Sequence, residues 1–80
     1  MKDKPLFDPE YQQFLKRLKK ARKESGLTQV EIASKLGVPQ SYVSKCEKGE
    51  RRVDVVELSR FAKLYKKSLE YFVSESIIRE

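Results

Sequence analysis

Gln40, Ser41, Ser44 and Lys45 sit within one short stretch, and all four are hydrogen-bonding side chains of modest reactivity. A glutamine amide both donates and accepts, so it can pair bidentately with the edge of adenine. A lysine ammonium can reach O6 and N7 of guanine. The two serines are short and tolerant, and suit a base edge or a phosphate equally well. On a helix beginning near Pro39 the four share one face, following an i, i+1, i+4, i+5 pattern, while Val43 and Cys46 point the other way. The chemistry such a face can do is recognition of base edges in a groove. It needs a rigid support behind it and positive charge around it.

The charge is present and localised. The 80 residues carry 18 basic and 12 acidic side chains, a net charge of +6. Between Lys16 and Lys67 there are 15 basic and 6 acidic residues, whereas the first 15 residues sum to −1 and the last 13 to −2. A protein that neutralises phosphates needs such a footprint. Lys16, Arg17, Lys19, Lys20, Arg22 and Lys23 form a basic run of their own. A helix spreads six such residues around its circumference, so this run reads as a solvated face with long-range attraction to nucleic acid.

Composition removes other chemistries. There is no histidine and only one cysteine, so neither a structural zinc site nor an intrachain disulfide is expected. No nucleophile–base pair stands at usable spacing, and there is no glycine-rich phosphate loop. We expect no enzyme, no cofactor and no metal. No apolar run approaches the roughly 20 residues that cross a bilayer. The first ten residues hold no apolar signal core, and with a free cysteine this leads us to expect a cytoplasmic protein without a membrane partner. Cys46 falls on the inward face and reads as a small core hydrophobe.

The elements that must hold the polar face are legible. Asp8-Pro9-Glu10 is a helix start, and Tyr11, Phe14, Leu15, Leu18 and Ala21 recur at spacings of three and four up to about Ser25, where Gly26 ends the helix. Thr28-Gln29-Val30-Glu31 is a capping box opening a second helix through Val30, Ile32, Ala33 and Leu36 to Gly37. Val38-Pro39 leads a third helix to Gly49. Glu50 to Val53 is a charged loop, and Asp54-Val55-Val56-Glu57 is a second capping box. A fourth helix carries Leu58, Phe61, Ala62 and Tyr65, and Ser68 opens a last one with Leu69, Phe72 and Val73. Five short helices and no strand give an all-α fold in one domain. Residues 1–8 read as an N-terminal arm, 9–74 as the folded domain and 75–80 as a C-terminal tail.

Ala33, Gly37 and Val43 decide what residues 28–48 are. Two helices crossing near a right angle touch on the inside of the bend, so a small residue, Ala33, is needed there. Gly37 takes the positive φ of a tight turn without a Cβ penalty, and Val43 fills the inside of the following helix. With Arg22, Gly26-Leu27-Thr28-Gln29, Ile32-Ala33, Leu36-Gly37-Val38, Val43-Ser44 and Glu47-Lys48-Gly49, the span from about Leu15 to Phe72 resembles the Cro and phage-repressor type (XRE-like) helix-turn-helix family. The resemblance implies a compact five-helix bundle of the lambda-repressor-like kind. It also implies sequence-specific binding to double-stranded DNA, usually as a homodimer on a palindromic operator. The chain departs from common members by placing Lys66-Lys67 where a glycine often closes the fourth helix.

Carried onto this chain, the resemblance places Gln40, Ser41, Ser44 and Lys45 against bases, and Gln29 against a phosphate while it braces the recognition helix. It also pairs Arg22 with Glu47, which would lock that helix in place. From the residues themselves, Arg51, Arg52 and, less strongly, Lys48 are phosphate candidates. Tyr42 either donates to a phosphate or packs against a neighbouring helix. Leu69, Tyr71, Phe72, Val73, Ile77 and Ile78 exceed what a small domain easily hides, so they are expected at a homodimer interface. The leading expectation is a stand-alone transcription regulator, a repressor of the XRE kind. The alternative is an antitoxin or a restriction–modification controller whose role includes binding a protein partner.

Overall fold

The computed structural model describes residues 8–73. Five helices follow one another: α1 Pro9–Ser25, α2 Gln29–Leu36, α3 Gln40–Lys48, α4 Val55–Tyr65 and α5 Leu69–Phe72. Among the described residues there is no strand, as the sequence pattern requires.

Side-chain caps fix the starts of α1, α2 and α4, whereas Pro39 and Ser68 precede α3 and α5 without a capping hydrogen bond. The Asp8 carboxylate accepts from the Glu10 and Tyr11 N–H groups, and Pro9 occupies the first turn, where a missing N–H costs nothing. At α2 the Thr28 hydroxyl accepts from Glu31 N–H while the Glu31 carboxylate accepts from Thr28 N–H, at 3.1 and 2.9 Å. Asp54 and Glu57 do the same at α4, at 2.8 and 2.9 Å. Each box satisfies two backbone donors that the helix itself cannot.

The stops of α2, α3 and α4 share one device. In each, the N–H beyond the left-handed residue returns to the carbonyl five residues earlier: Val38 to Ala33, Glu50 to Lys45 and Lys67 to Ala62, all at 3.0 Å. Gly37 and Gly49 supply the positive φ at two of them. The third is Lys66, at φ 58°, a non-glycine in the left-handed region. A Cβ there carries a backbone penalty that glycine avoids. Lys66→Gly is therefore expected to stabilise the fold by about 0.5–1 kcal/mol, after the entropy glycine adds to the unfolded chain is subtracted. A urea midpoint that stays put or falls would contradict this reading of the fourth helix end.

α1 is the axis of the bundle. It buries Phe14, Leu15, Leu18 and Ala21 and packs against α3, α4 and α5. Ile32 and Ala33 of α2, Val43 and Cys46 of α3, Phe61, Ala62 and Tyr65 of α4, and Phe72 of α5 complete one core. The aromatic side chains meet edge-on or stacked, with Phe61 against Tyr65 at 5.9 Å and Phe14 against Phe72 at 6.4 Å between ring centres. Cys46 is fully buried, and burial pushes its thiol up to about 11, so it serves as a neutral space-filling group at ordinary pH. Among the described residues no helix is long and apolar enough to cross a membrane.

Of the residues expected at a dimer interface, Phe72 is 0% exposed and packs between Phe14 and Tyr71 within its own chain. Tyr71 is half-buried, with Arg17 and Lys67 over its ring at 6.0 and 4.7 Å. Leu69 and Val73 are exposed, at 43% and 39%. Ile77 and Ile78, the rest of the tail and residues 1–7 of the arm lie outside the described residues.

Candidate nucleic-acid interface

α2, the turn at Gly37 to Pro39, and α3 form the helix-turn-helix. α2 and α3 make the densest helix pair of the fold. Ala33 is buried where they meet, and Val43 is fully buried on the inside of α3. Gly37 has φ 73°, and a Cβ built on it would meet nothing within 4 Å. Its glycine is thus required by backbone conformation and not by close approach.

The periodicity of α3 divides the helix cleanly. Val43, Cys46 and Glu47 are buried and Tyr42 half-buried. Gln40, Ser41, Lys45 and Lys48 are exposed and Ser44 is half-buried, and all five fall on the opposite arc. The structure brings the four sequence-assigned groove residues together on one solvent-facing side.

Behind that side runs a chain of polar contacts. Glu47 is buried, at 3% exposed, and accepts two hydrogen bonds from the Arg22 guanidinium, at 2.7 Å from Nε and 3.2 Å from Nη2. Arg22 also donates to the Leu27 carbonyl at 3.1 Å. Its hydrogen bond to Glu47 holds the guanidinium's pKa above its ordinary value. Glu47 Oε1 accepts a further bond from Gln29 Nε2, and Gln29 Oε1 accepts from Gln40 Nε2, both at 2.9 Å.

This chain has a direction. A carboxylate only accepts, so Glu47 forces Gln29 to present its NH₂ inward and its oxygen outward. That oxygen in turn takes the NH₂ of Gln40. Gln40 is left with its carbonyl oxygen and one N–H free. One acceptor and one donor are what the N6 and N7 edge of adenine matches. The buried ion pair therefore sets the orientation of an exposed amide two residues away in the network.

Other candidates are placed differently. The Tyr42 ring stacks on Phe61, with centres 6.4 Å apart, and lies under the Arg51 guanidinium at 4.7 Å. Burial, and then the approach of Glu57, push its phenol well above its ordinary value. The Tyr42 ring thus packs on α4 and supports Arg51. Arg51 also pairs with Glu57 at 2.7 Å. Arg52 lies over the Tyr11 ring at 5.0 Å, and the Tyr11 hydroxyl accepts from the Val53 N–H at 3.0 Å. Two residues that sequence reasoning passed over, Tyr11 and Glu57, thus anchor the loop that carries both arginines. Tyr11 was visible as a core residue only, and Glu57 as a cap only. Among the described residues no cluster of side chains could hold a metal ion.

Residues 18–72 match the helix-turn-helix family. Over 63 residues, 79% of the chain, the sequence is 38% identical to the HTH-type transcriptional regulator PrpR of Mycobacterium tuberculosis, covering 13% of that protein. Over 60 residues, 75% of the chain, it is 37% identical to the HTH-type transcriptional regulator ImmR of Bacillus subtilis, covering 47% of that protein. The chain thus spans less than half the length of either relative. With the match covering most of its helices, and with the bend at Gly37 and the Arg22–Glu47 support in place, the chain belongs to the XRE-type helix-turn-helix family.

Proposed function

We propose that this protein binds double-stranded DNA sequence-specifically and regulates transcription, with α3 in the major groove. The carrying observation is the oriented Gln40 amide on an exposed polar face, held through Gln29 by the buried Arg22–Glu47 pair. Gln40 and Lys45 are the base readers, joined by Ser41 and Ser44. Lys48, Arg51 and Arg52 contact phosphates through their side chains and Gln29 through its backbone N–H in the first turn of α2, contacts which position the helix without reading sequence. The relatives' names as transcriptional regulators support the reading.

The protein acts as a homodimer on a palindromic operator, its two recognition helices about 34 Å apart. Exposed Leu69 and Val73 are the described apolar residues that support a contact at this end of the molecule.

Selection from a random duplex pool tests the reading. The parent protein is expected to enrich one half-site in two-fold repeats, and Gln40→Ala or Lys45→Ala to change which bases are chosen. Arg51→Ala is expected to weaken all sequences alike and to flatten the salt slope by about 0.9. A pool that shows no enrichment would overturn specific recognition.

A further inference from the structure

Lys16, Lys19 and Lys23 fall within an arc of about 60° on α1, on the side away from the core. They line an open groove whose opposite wall is the end of α3, at Glu47 and Lys48. Lys48 ends the row that Gln40 and Ser44 begin on α3, one helical turn apart at each step. The groove therefore continues from where the recognition face stops.

The two carboxylates at the groove are already matched. Glu47 is paired with Arg22, and Glu24 with Lys67 at 2.9 Å and with Lys20 at 4.0 Å. Lys16, Lys19, Lys23 and Lys48 have no acidic partner among the described residues. Four uncompensated ammonium groups on one concave surface repel each other and favour a polyanion between them. From Lys16 to Lys23 the face is about 10 Å long, enough to meet about three phosphates of one strand.

We infer that this groove is a second DNA-contacting surface, which takes the sugar–phosphate backbone of the same duplex beyond the bases that α3 reads. The inference rests on the DNA-binding reading above. It makes the footprint longer than the recognised sequence, with the added contacts blind to base identity. It also gives the basic run on α1 a contact role where the sequence pattern implied only long-range attraction.

The test uses the selected half-site in a short duplex and in one extended by about ten base pairs, each titrated with salt. The parent is expected to bind the longer duplex about tenfold more tightly at low salt, with a slope steeper by about 0.9 for each lysine engaged. The exposed triple substitution Lys16→Gln, Lys19→Gln, Lys23→Gln keeps helix-forming side chains, leaves only Lys48 in the groove and should lose most of the difference in slope between the two lengths. Equal slopes for the parent, or a triple variant that keeps the parent's length dependence, would overturn this inference and leave α3 recognition intact. A parent that binds neither duplex would overturn the DNA-binding reading and this inference with it.

Discussion

Glu47→Ala is expected to lower folding stability by about 3–5 kcal/mol. The side chain is 3% exposed and holds Arg22, whose own side chain is 14% exposed, so truncation leaves a guanidinium buried without its counter-charge. Gln29 loses its acceptor at the same time. For a chain of 80 residues a total stability of about 4–12 kcal/mol is typical, so most of the margin would go. A urea midpoint equal to that of the parent would show that the pair does not hold the fold. A second variant separates stability from recognition. Arg22→Met with Glu47→Leu removes both charges together and fills their volume, which is about neutral for stability. It also removes the group that orients Gln29 and, through it, Gln40. That variant should fold like the parent and bind its duplex more weakly.

Phe72→Ala is expected to cost about 3–5 kcal/mol. The ring is fully buried against Phe14 and Tyr71 and is the one buried side chain of α5, a helix of only four residues. Because the contacts lie within one chain, the loss should be the same at low and high protein concentration. If Phe72 instead sealed a dimer, the loss would shrink as the parent itself dissociates on dilution.

The ends of the helices were legible because they depend on neighbours in sequence. Asp8, the two capping boxes and Gly26, Gly37 and Gly49 each act within about five residues. The outward face of α3 was legible because its polar and apolar residues follow the helical period. The rest depends on which side chains the fold brings together, and the helical period does not show that. Phe72 could not be sorted from Leu69 and Val73, since a four-residue helix is too short to show which face it buries. Glu57 reads as a capping residue, yet it also holds Arg51. Tyr11 reads as core, yet its hydroxyl holds the loop at Val53, 42 residues away. Lys66 stands where a glycine is common in the family, and its left-handed backbone follows from the same closing pattern that Gly37 and Gly49 serve. The Arg22–Glu47 pair came from the family resemblance. Its extension to Gln29 and Gln40 needed the bend to bring residues 29 and 40 together.

The central claim is that the Gln40–Lys45 side of α3 meets duplex DNA in an orientation set from behind by Gln29. Following backbone and side-chain amide resonances while a selected duplex is added tests it most directly. The amides of Gln40, Ser41, Ser44 and Lys45 are expected to shift, together with the side-chain amides of Gln29 and Gln40, while those of Ile32 and Phe61 in the core stay close to their free positions. Saturation with duplex that leaves the residues of α3 unmoved, and shifts another face of the molecule instead, would contradict it.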